Sequence, residues 1–376
     1  MSQVEPLQVP DPEWISRYHE ALKRWYAQHK RDLPWRRTDD PYAVWISEMM
    51  LQQTQVAQAR PYFERFMARF PTVHSLAVAP MADILKLWEG LGYYARARNM
   101  GRAAKQIVAE FDGRTPDELT DLLKLPGIGP YTAAAVLSIA YGKNHAVVDG
   151  NVVRVLCRLM NLQNRPDTAQ TRSLLSSLAD QLLEQGAAAD YNQAIMELGA
   201  TVCVPKNPKC GICPVKQLCK GFAELEDPSV LPAKKPKKQR PHYTETAALI
   251  WRNNNLLIVR RPEKGLLGGL WEFPGCRVEP GEAIEASLRA HLLRVYGLAV
   301  SVCRPLASPR HAFTHFSITL HGIECDWLSG DPPADDERAV RWVDLSEMGQ
   351  LAFPKAQNRL IDALKSHGDD EQLRLL

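Results

Sequence analysis

The apolar positions before about residue 240 recur at the spacing of helices. Runs such as YAVWISEMMLQQTQVAQA, MADILKLWEG and DELTDLLKL place apolar residues three or four positions apart, which is the period of an amphipathic helix. Asp40 and Pro41 match the N-cap and first position of the first of these helices. No run of alternating apolar and polar residues occurs in this part, so the pattern predicts an all-α domain over residues 1–225.

The pattern changes after about residue 240. Short β-branched and aromatic runs appear in TETAALIW, NLLIVRR, GLWEFPG, FSITLHGIEC and AVRWVDL, and one helical run, EAIEASLRAHLLRVYG, interrupts them. This pattern predicts a separate α+β domain over residues 242–376.

The segment between the two domains, residues 226–241, is rich in proline and positive charge. Its basic residues are Lys234, Lys235, Lys237, Lys238 and Arg240. The composition is typical of a linker. Such a linker can lie against a phosphate backbone or remain a solvated connector, and the sequence leaves both alternatives open.

Composition limits the class of protein. The chain has 376 residues, of which 45% are apolar and 24% charged, as in globular proteins of two or three domains. No apolar run approaches the ~18 residues of a membrane span, and the polar start MSQVEPLQVPDPEW lacks the apolar core of a signal peptide. We therefore expect a cytoplasmic protein with no membrane partner. The net charge of +3 permits a nucleic-acid partner but does not indicate one.

Four cysteines lie close together in CVPKNPKCGICPVKQLC. Cys203, Cys210, Cys213 and Cys219 have the spacing C-x6-C-x2-C-x5-C, in which the central pair supplies two ligands from one tight turn. Cysteines in a chain without an export signal are mostly reduced, so the cluster indicates a metal centre before disulfides. Spacing alone favours a zinc site and a four-iron cluster equally.

Two glycines, Gly127 and Gly129, separate two helical runs in LPGIGPYTAAAV. The stretch lacks the lysine of a P-loop and the strand of a dinucleotide fold. The glycines permit a sharp turn that exposes backbone N–H groups at the start of the second helix, where a phosphate oxygen binds well. A simple turn between helices is the plainer interpretation.

Two carboxylates are candidates for acid chemistry. Asp149 precedes Gly150 at the start of a helical run, which is also the position of an ordinary N-cap. Glu48 lies between apolar residues in WISEMMLQQ. A carboxyl group in such surroundings has a raised pKa, which suits a general acid, unless the side chain faces outward.

Several motifs occur in one order and together resemble a known family. They are DLPWRR, SEMMLQQTQV, WEGLGYYARARN, LPGIGPYTAAAV, VDGNVVRV, YNQAIMELGA and the cysteine loop. From about Pro34 to Cys219 the chain resembles the helix-hairpin-helix DNA glycosylases and, among them, the MutY family of adenine DNA glycosylases. The resemblance implies an all-α glycosylase core, with the helix-hairpin-helix at about 121–136 and an iron–sulfur loop at 203–219, followed by an α+β Nudix-like domain.

The resemblance also implies a mechanism for base excision. The hairpin would hold a DNA phosphate while adenine is flipped out of the stack. Glu48 would protonate N7 of that adenine as the general acid, and Asp149 would stabilise the oxocarbenium-like sugar. Asn151 and Tyr131 would hold Asp149 and the transition state in place. Related lyases carry a lysine where this chain has Tyr131, so a monofunctional glycosylase that uses water as nucleophile is implied.

Further roles follow from the same resemblance. Arg36 and Gln193 correspond to adenine-pocket residues, and Gln53 and Tyr93 to residues that wedge beside the opposite base. The four cysteines correspond to the ligands of a [4Fe-4S] cluster with a structural and DNA-positioning role. The implied partner is double-stranded DNA with adenine opposite 8-oxoguanine or guanine, bound by a monomer at the nucleoid.

The C-terminal domain resembles a Nudix fold without its hydrolase chemistry. The positions that would carry the magnesium-binding carboxylates hold Ala290, His291, Leu292, Leu293, Arg294 and Val295. Without carboxylates there, magnesium binding and pyrophosphatase activity are not expected. The family's reader of 8-oxoguanine corresponds to Phe313, Thr314 and His315 in HAFTHFS. The family commonly has serine at Thr314, and threonine keeps the hydroxyl but adds a methyl group.

Three other functions fit part of the sequence. An endonuclease III-like glycosylase and lyase acting on oxidised pyrimidines would share the helical domain, but Tyr131 cannot form its Schiff base. A non-catalytic DNA-binding iron–sulfur protein would not need both Glu48 and Asp149. A Nudix hydrolase with a helical appendage is disfavoured by the missing carboxylates.

Overall fold

The computed structural model describes residues 10–235, 239–333 and 339–373, with side chains up to residue 366. The chain divides into two compact units. The first contains the chain up to Val78 and from Asn99 to the linker, and the second contains Ala79–Arg98 together with the chain after the linker. The sequence pattern does not reveal that Ala79–Arg98 groups with the second unit.

Helices account for the regular structure before residue 242 in the described part of the chain, as the apolar period predicts. Their bounds are α1 Pro12–His29, α2 Pro41–Leu51, α3 Val56–Arg69, α4 Val73–Ala77, α5 Met81–Trp88, α6 Ala95–Glu110, α7 Leu119–Leu122, α8 Pro130–Tyr141, α9 Gly150–Leu159, α10 Ala169–Leu182, α11 Ala188–Thr201 and α12 Lys220–Glu224.

Helix α2 begins as predicted, with Asp40 as N-cap and Pro41 at its first position, and the Asp40 side chain accepts a hydrogen bond from the Tyr42 N–H. Residues 42–50 of this helix are all buried, including Ser47 and Glu48, so the helix lies inside the first unit instead of on its surface. It packs against α8, and α8 and α9 both pack against α11. The starts of α8 and α9 and the end of α2 are thereby brought to one place.

The second unit contains a mixed sheet of eight strands. The strands are β1 His242–Arg252, β2 Asn255–Arg260, β3 Trp271–Glu272, β4 Arg277–Val278, β5 Ala299–Ala307, β6 Arg310–Ala312, β7 Ser317–Ser329 and β8 Val340–Val343. Strand β1 runs parallel to β7 and antiparallel to β2, and the main path is β3-β2-β1-β7-β5. The other described pairings are antiparallel.

After the linker, the described chain forms two α-helices beside the sheet, α13 Ile284–Tyr296 and α14 Lys355–Leu373. Residues of α13 share an apolar cluster with β1, β2, β5 and β7, and residues of α14 share another with β1, β2 and β7. Alternate residues of β1 enter the two clusters, because successive strand side chains point to opposite faces. The α+β prediction is confirmed, although the sequence pattern predicts only α13.

The first part of the predicted linker packs on the first unit. Leu231 is buried, and the Arg158 guanidinium donates a hydrogen bond of 3.0 Å to its carbonyl oxygen. Lys237 and Lys238 lie outside the described residues, so the choice between a phosphate-binding and a solvated linker stays a prediction. Among the described helices, none has the length and apolar character that a bilayer crossing requires.

Candidate active site

A cavity of about 590 Å³ opens where α2, α8, α9 and α11 meet in the first unit. Most of the residues that the sequence proposes for excision chemistry line it. These are Arg36, Glu48, Gln53, Gly127, Gly129, Tyr131, Asp149, Asn151 and Gln193. The cavity thus joins residues from distant parts of the chain.

Glu48 lies on the inner side of α2 and is only 5% exposed. Burial raises the pKa of its carboxyl group from the ordinary 4.5 to about 7, although the hydrogen bond from Tyr131 opposes the rise. The Tyr131 hydroxyl donates to Oε2 of Glu48. The sequence associated Tyr131 with Asp149, whereas its hydroxyl contacts the other carboxylate. Because its pKa is about 7, a substantial fraction of Glu48 is protonated at neutral pH.

Asp149 is the N-cap of α9, so the structural interpretation of this residue is correct and does not exclude a second role. Its Oδ1 accepts from the Val152 N–H at 2.7 Å, and its Oδ2 accepts from Nδ2 of Asn151 at 2.8 Å. Burial raises the pKa of Asp149, while these hydrogen bonds lower it. The two donors fix the orientation of the carboxylate at the cavity wall.

Two residues that the sequence pattern did not single out, Arg31 and Glu197, also line the cavity. Glu197 is fully buried on α11 and accepts from Arg31 at 2.7 and 2.8 Å and from Arg36 at 2.8 Å. Burial would raise the pKa of Glu197, but the hydrogen bonds from both arginines lower it below its ordinary value. Glu197 lies between apolar residues in AIMELGA, which is the signal that singled out Glu48.

Arg154 was also missed, and it contacts both the site and the cysteine loop. Its guanidinium donates to Oδ1 of Asn151 at 2.8 Å and to the carbonyl oxygen of Cys203 at 2.7 Å. Asn151 in turn holds Asp149. The cysteine loop therefore supports the orientation of the carboxylate through two intervening side chains.

Glycine is found at positions 127 and 129 of the hairpin for two different structural reasons. Gly127 has φ of +81°, and a Cβ there would lie 2.7 Å from the Cβ of Asn99, so a side chain would be strained as well as crowded. Gly129 is the N-cap of α8 in an extended conformation, and space around its Cα is open. The start of α8 thus faces the cavity with exposed backbone, as a phosphate-binding helix start requires.

The cysteine loop fits an iron–sulfur cluster. Cys203, Cys210, Cys213 and Cys219 are free thiols that line one small cavity beside the buried Arg158. Four thiols around one space can bind a single zinc ion, which needs all its sulfurs within ~2.3 Å of one point. A four-iron cluster spreads its cysteines more widely, one for each iron.

The other predicted reading residues lie in the second unit. Tyr93 is 46% exposed, and its hydroxyl oxygen lies 2.6 Å from Oγ1 of Thr314. Phe313 stacks on Phe316 with ring centroids 4.6 Å apart, and His315 follows Thr314 in the same turn. The residues that replace the Nudix carboxylates lie on α13, where Leu292 is buried.

Gln53 and Tyr93 share an unusual backbone. Their φ values are +57° and +48°, a region that side-chain-bearing residues seldom adopt and that costs about 1 kcal/mol or more. Strain of this kind occurs at functional sites, because surrounding contacts must hold it in place. Among the described residues Leu267 has the same φ of +57° as Gln53, so this backbone also occurs away from the predicted recognition residues.

Three family descriptions match the sequence. Residues 46–181 match the HhH-GPD superfamily base excision DNA repair protein, residues 203–219 the iron–sulfur binding domain of endonuclease III, and residues 246–363 the NUDIX domain. The cysteine loop is therefore the binding loop of a [4Fe-4S] cluster, which resolves the choice that spacing left open.

Curated relatives and solved structures agree with these matches. The chain is 34% identical to adenine DNA glycosylase of Homo sapiens over 92% of this chain and 73% of that protein. It is 31% identical to adenine DNA glycosylase of Buchnera aphidicola subsp. Schizaphis graminum, over 93% of this chain and 99% of that protein.

Among solved structures, a thermostable thymine-DNA glycosylase is 29% identical with a TM-score of 0.52, over 56% of this chain and 97% of that one. A trapped endonuclease III–DNA covalent intermediate shares the fold over 57% of this chain and 98% of that one. Its identity is 21% and its TM-score 0.50. The chain belongs to the adenine DNA glycosylases, base-excision-repair enzymes that hydrolyse N-glycosyl bonds in DNA.

Proposed function

We propose that this enzyme removes adenine paired with 8-oxoguanine or guanine and acts on duplex DNA at the nucleoid. The observation that carries the proposal is that Glu48 and Asp149, distant in sequence, line the same cavity. The test is single-turnover excision from duplexes with adenine opposite 8-oxoguanine, guanine or thymine. Excision is expected from the first two, and equal rates on all three would contradict the proposed specificity.

Glu48 is the general acid in this proposal. Its pKa of about 7 keeps part of the enzyme protonated at neutral pH, so the carboxyl can transfer a proton to N7 of an extruded adenine. The Tyr131 hydroxyl donates to Oε2 and fixes the direction of the group. Protonated adenine departs as a neutral leaving group, and the bond from N9 to the sugar breaks with its electron pair moving to the base.

Asp149 stabilises the sugar cation that remains. A carboxylate ~4 Å from the oxocarbenium ion contributes about 4 kcal/mol at an effective dielectric constant of ~20. Its hydrogen bonds from Val152 and Asn151 favour the ionised form, which that role requires. Water then attacks C1′ of the sugar cation and gives a proton to the carboxylate left at Glu48, which completes the hydrolysis and restores the acid.

The remaining cavity residues bind and orient the nucleotide. Arg36 and Gln193 line the space beside Glu48, and Glu197 holds the Arg36 guanidinium in place. Backbone around Gly127 and Gly129 would bind a phosphate of the distorted strand. Cys203, Cys210, Cys213 and Cys219 would hold the [4Fe-4S] cluster, which would keep their loop folded and position it for DNA.

Recognition of the opposite base is assigned to Gln53 and Tyr93 as wedges and to Phe313, Thr314 and His315 as the lesion reader. Gln53 lines the catalytic cavity, whereas Tyr93 and Thr314 touch through their hydroxyl groups in the second unit. An aromatic ring next to a hydroxyl and an imidazole can stack beside a base and bond to its edge.

The enzyme is expected to cleave no DNA strand by a lyase step. Tyr131 occupies the position where a lyase presents an amine, and a phenol cannot form a Schiff base with the sugar. Reaction with the adenine–8-oxoguanine duplex under borohydride should therefore leave almost no covalent adduct, while free adenine accumulates. Robust trapping together with strand cleavage would instead support an endonuclease III-like activity.

The excision rate is expected to fall above pH 7. Glu48 must carry its proton, and its pKa is about 7, so each further pH unit should lower the single-turnover rate about tenfold. Asp149 must be ionised, and burial raises its pKa, so the acid limb should lie above the ordinary range of an aspartate. A rate that rises steadily from pH 6 to pH 9 would contradict the assignment of Glu48.

A further inference from the structure

The turn that presents Tyr93 is fixed at its backbone by neighbouring side chains. Gly90, Gly92 and Tyr93 all have positive φ, at 96°, 74° and 48°. The indole N–H of Trp88 donates to the Gly92 carbonyl at 2.9 Å, and the Arg96 guanidinium donates to the same oxygen at 3.1 Å. These two hydrogen bonds hold the Gly92 carbonyl and so restrict the backbone next to Tyr93.

Glu89 joins the start of this turn to the distant part of the second unit. Its Oε1 accepts from the Phe353 N–H at 2.8 Å and from Nδ2 of Asn358 at 2.9 Å. Its Oε2 accepts from Lys86, which also donates to the carbonyl of Leu351 at 2.9 Å. The side chain of Glu89 is 17% exposed, so these contacts are shielded from water.

The position of Glu89 is unfavourable for local structure alone. It is the C-cap of α5, where the negative end of the helix dipole repels a carboxylate. Phe353 is fully buried, and its backbone N–H needs an acceptor. Glu89 supplies that acceptor, which explains why a carboxylate is found at the wrong end of a helix.

A second hydrogen bond attaches the C-terminal end of the same segment to the rest of the second unit. Nη1 of Arg98 donates to the carbonyl of Gly268 at 2.6 Å. The turn therefore lies between two attachments to the C-terminal part of the chain, and Tyr93 meets Thr314 between them at 2.6 Å. Both attachments and the contact between the two hydroxyls lie within the second unit.

We propose that Glu89 is a positioning residue for reading the opposite base. It attaches the turn at residues 90–93 to the backbone N–H of Phe353 and to the side-chain amide of Asn358, and so keeps Tyr93 beside Thr314. This inference rests on the proposed function of those two residues. Glu89 acts through them and contacts neither base. It sets how well 8-oxoguanine is distinguished from guanine and leaves the cleavage chemistry to the first unit.

The test compares Glu89→Ala, Glu89→Gln and the parent in two measurements. Backbone amide hydrogen exchange of the DNA-free proteins measures how firmly residues 88–98 are fixed to the rest of the second unit. Glu89→Ala is expected to speed exchange there. The ratio of single-turnover rates on adenine–8-oxoguanine and adenine–guanine duplexes measures recognition of the opposite base. Glu89→Ala should reduce this preference for 8-oxoguanine about tenfold. Glu89→Gln keeps an oxygen for Phe353 and Asn358 and should restore most of both properties.

Glu20→Ala is the matched control, because Glu20 forms an exposed ion pair with Arg24 on α1. It should change neither measurement. Unchanged exchange in Glu89→Ala would overturn the attachment, and faster exchange with an unchanged preference would overturn the reading role. A parent that excises no adenine would instead reject the proposed function, while the exchange measurement would still test the attachment.

Discussion

Replacing Asp149 by asparagine is expected to lower the single-turnover rate of adenine excision about a thousandfold. The carboxylate contributes about 4 kcal/mol to the sugar cation at ~4 Å, and each 1.36 kcal/mol corresponds to a factor of ten in rate. Asparagine is as good an N-cap as aspartate, so α9 should remain intact. Rapid-quench assays with excess enzyme on the adenine–8-oxoguanine duplex measure the effect.

The matched control is Asp11→Asn, because Asp11 is the N-cap of α1 and accepts from the Trp14 N–H at 2.8 Å. It makes the same chemical change at another helix start and should leave the rate unchanged. DNA binding by Asp149→Asn should stay close to that of the parent. A rate within tenfold of the parent would remove Asp149 from the proposed mechanism.

Replacing Glu48 by glutamine is expected to remove activity and to stabilise the fold. Loss of a general acid lowers the rate by about 10²–10⁴. The folded protein holds the Glu48 proton until pH about 7, whereas an unfolded glutamate releases it near 4.5. Stability therefore declines as pH rises from 4.5 to 7, and above pH 7 the full penalty of about 3 kcal/mol is present.

Glutamine does not ionise, so the variant avoids that penalty while its side-chain oxygen can still accept from Tyr131. At pH 8 denaturant unfolding should show Glu48→Gln to be more stable than the parent, and near pH 4 the difference should vanish. Glu20→Gln makes the same chemical change at an exposed position and should leave the excision rate unchanged. A variant that is both less stable at pH 8 and fully active would contradict the account of Glu48.

The sequence predicts elements where long stretches have a clear period. Helix α2 begins at Asp40 and Pro41 as expected, because the cap and the first proline act locally. Short strands such as β4 and β6 span only two or three residues and exist through pairing with β1 and β7. No local pattern encodes strands this short: the partner of β4 lies far earlier in the chain, and β6 exists through its antiparallel pairing with the next strand, β7.

The site was predicted only in part for a similar reason. The type of residue at Glu48 and Asp149 suggests acid chemistry, but only the resemblance to a family places them at one nucleotide. Glu197 carries the same local signal as Glu48 and was missed, because burial alone does not reveal which partners a carboxylate meets. Its two arginines come from the segment before α2, and only the packing of α11 brings them together.

The grouping of Ala79–Arg98 with the second unit could not be derived from the sequence either. The segment has the same helical period as its neighbours, so nothing local marks it. Its contacts with the C-terminal part, such as that of Glu89 with the Phe353 N–H, form only in the folded chain.

A crystal structure of Asp149→Asn bound to a duplex with adenine opposite 8-oxoguanine gives the most direct evidence on the two carboxylate positions. We expect the adenine to enter the cavity of the first unit with N7 within hydrogen-bond reach of Glu48 and its sugar beside residue 149. An adenine that binds elsewhere, or a Glu48 side chain directed away from the base, would contradict it.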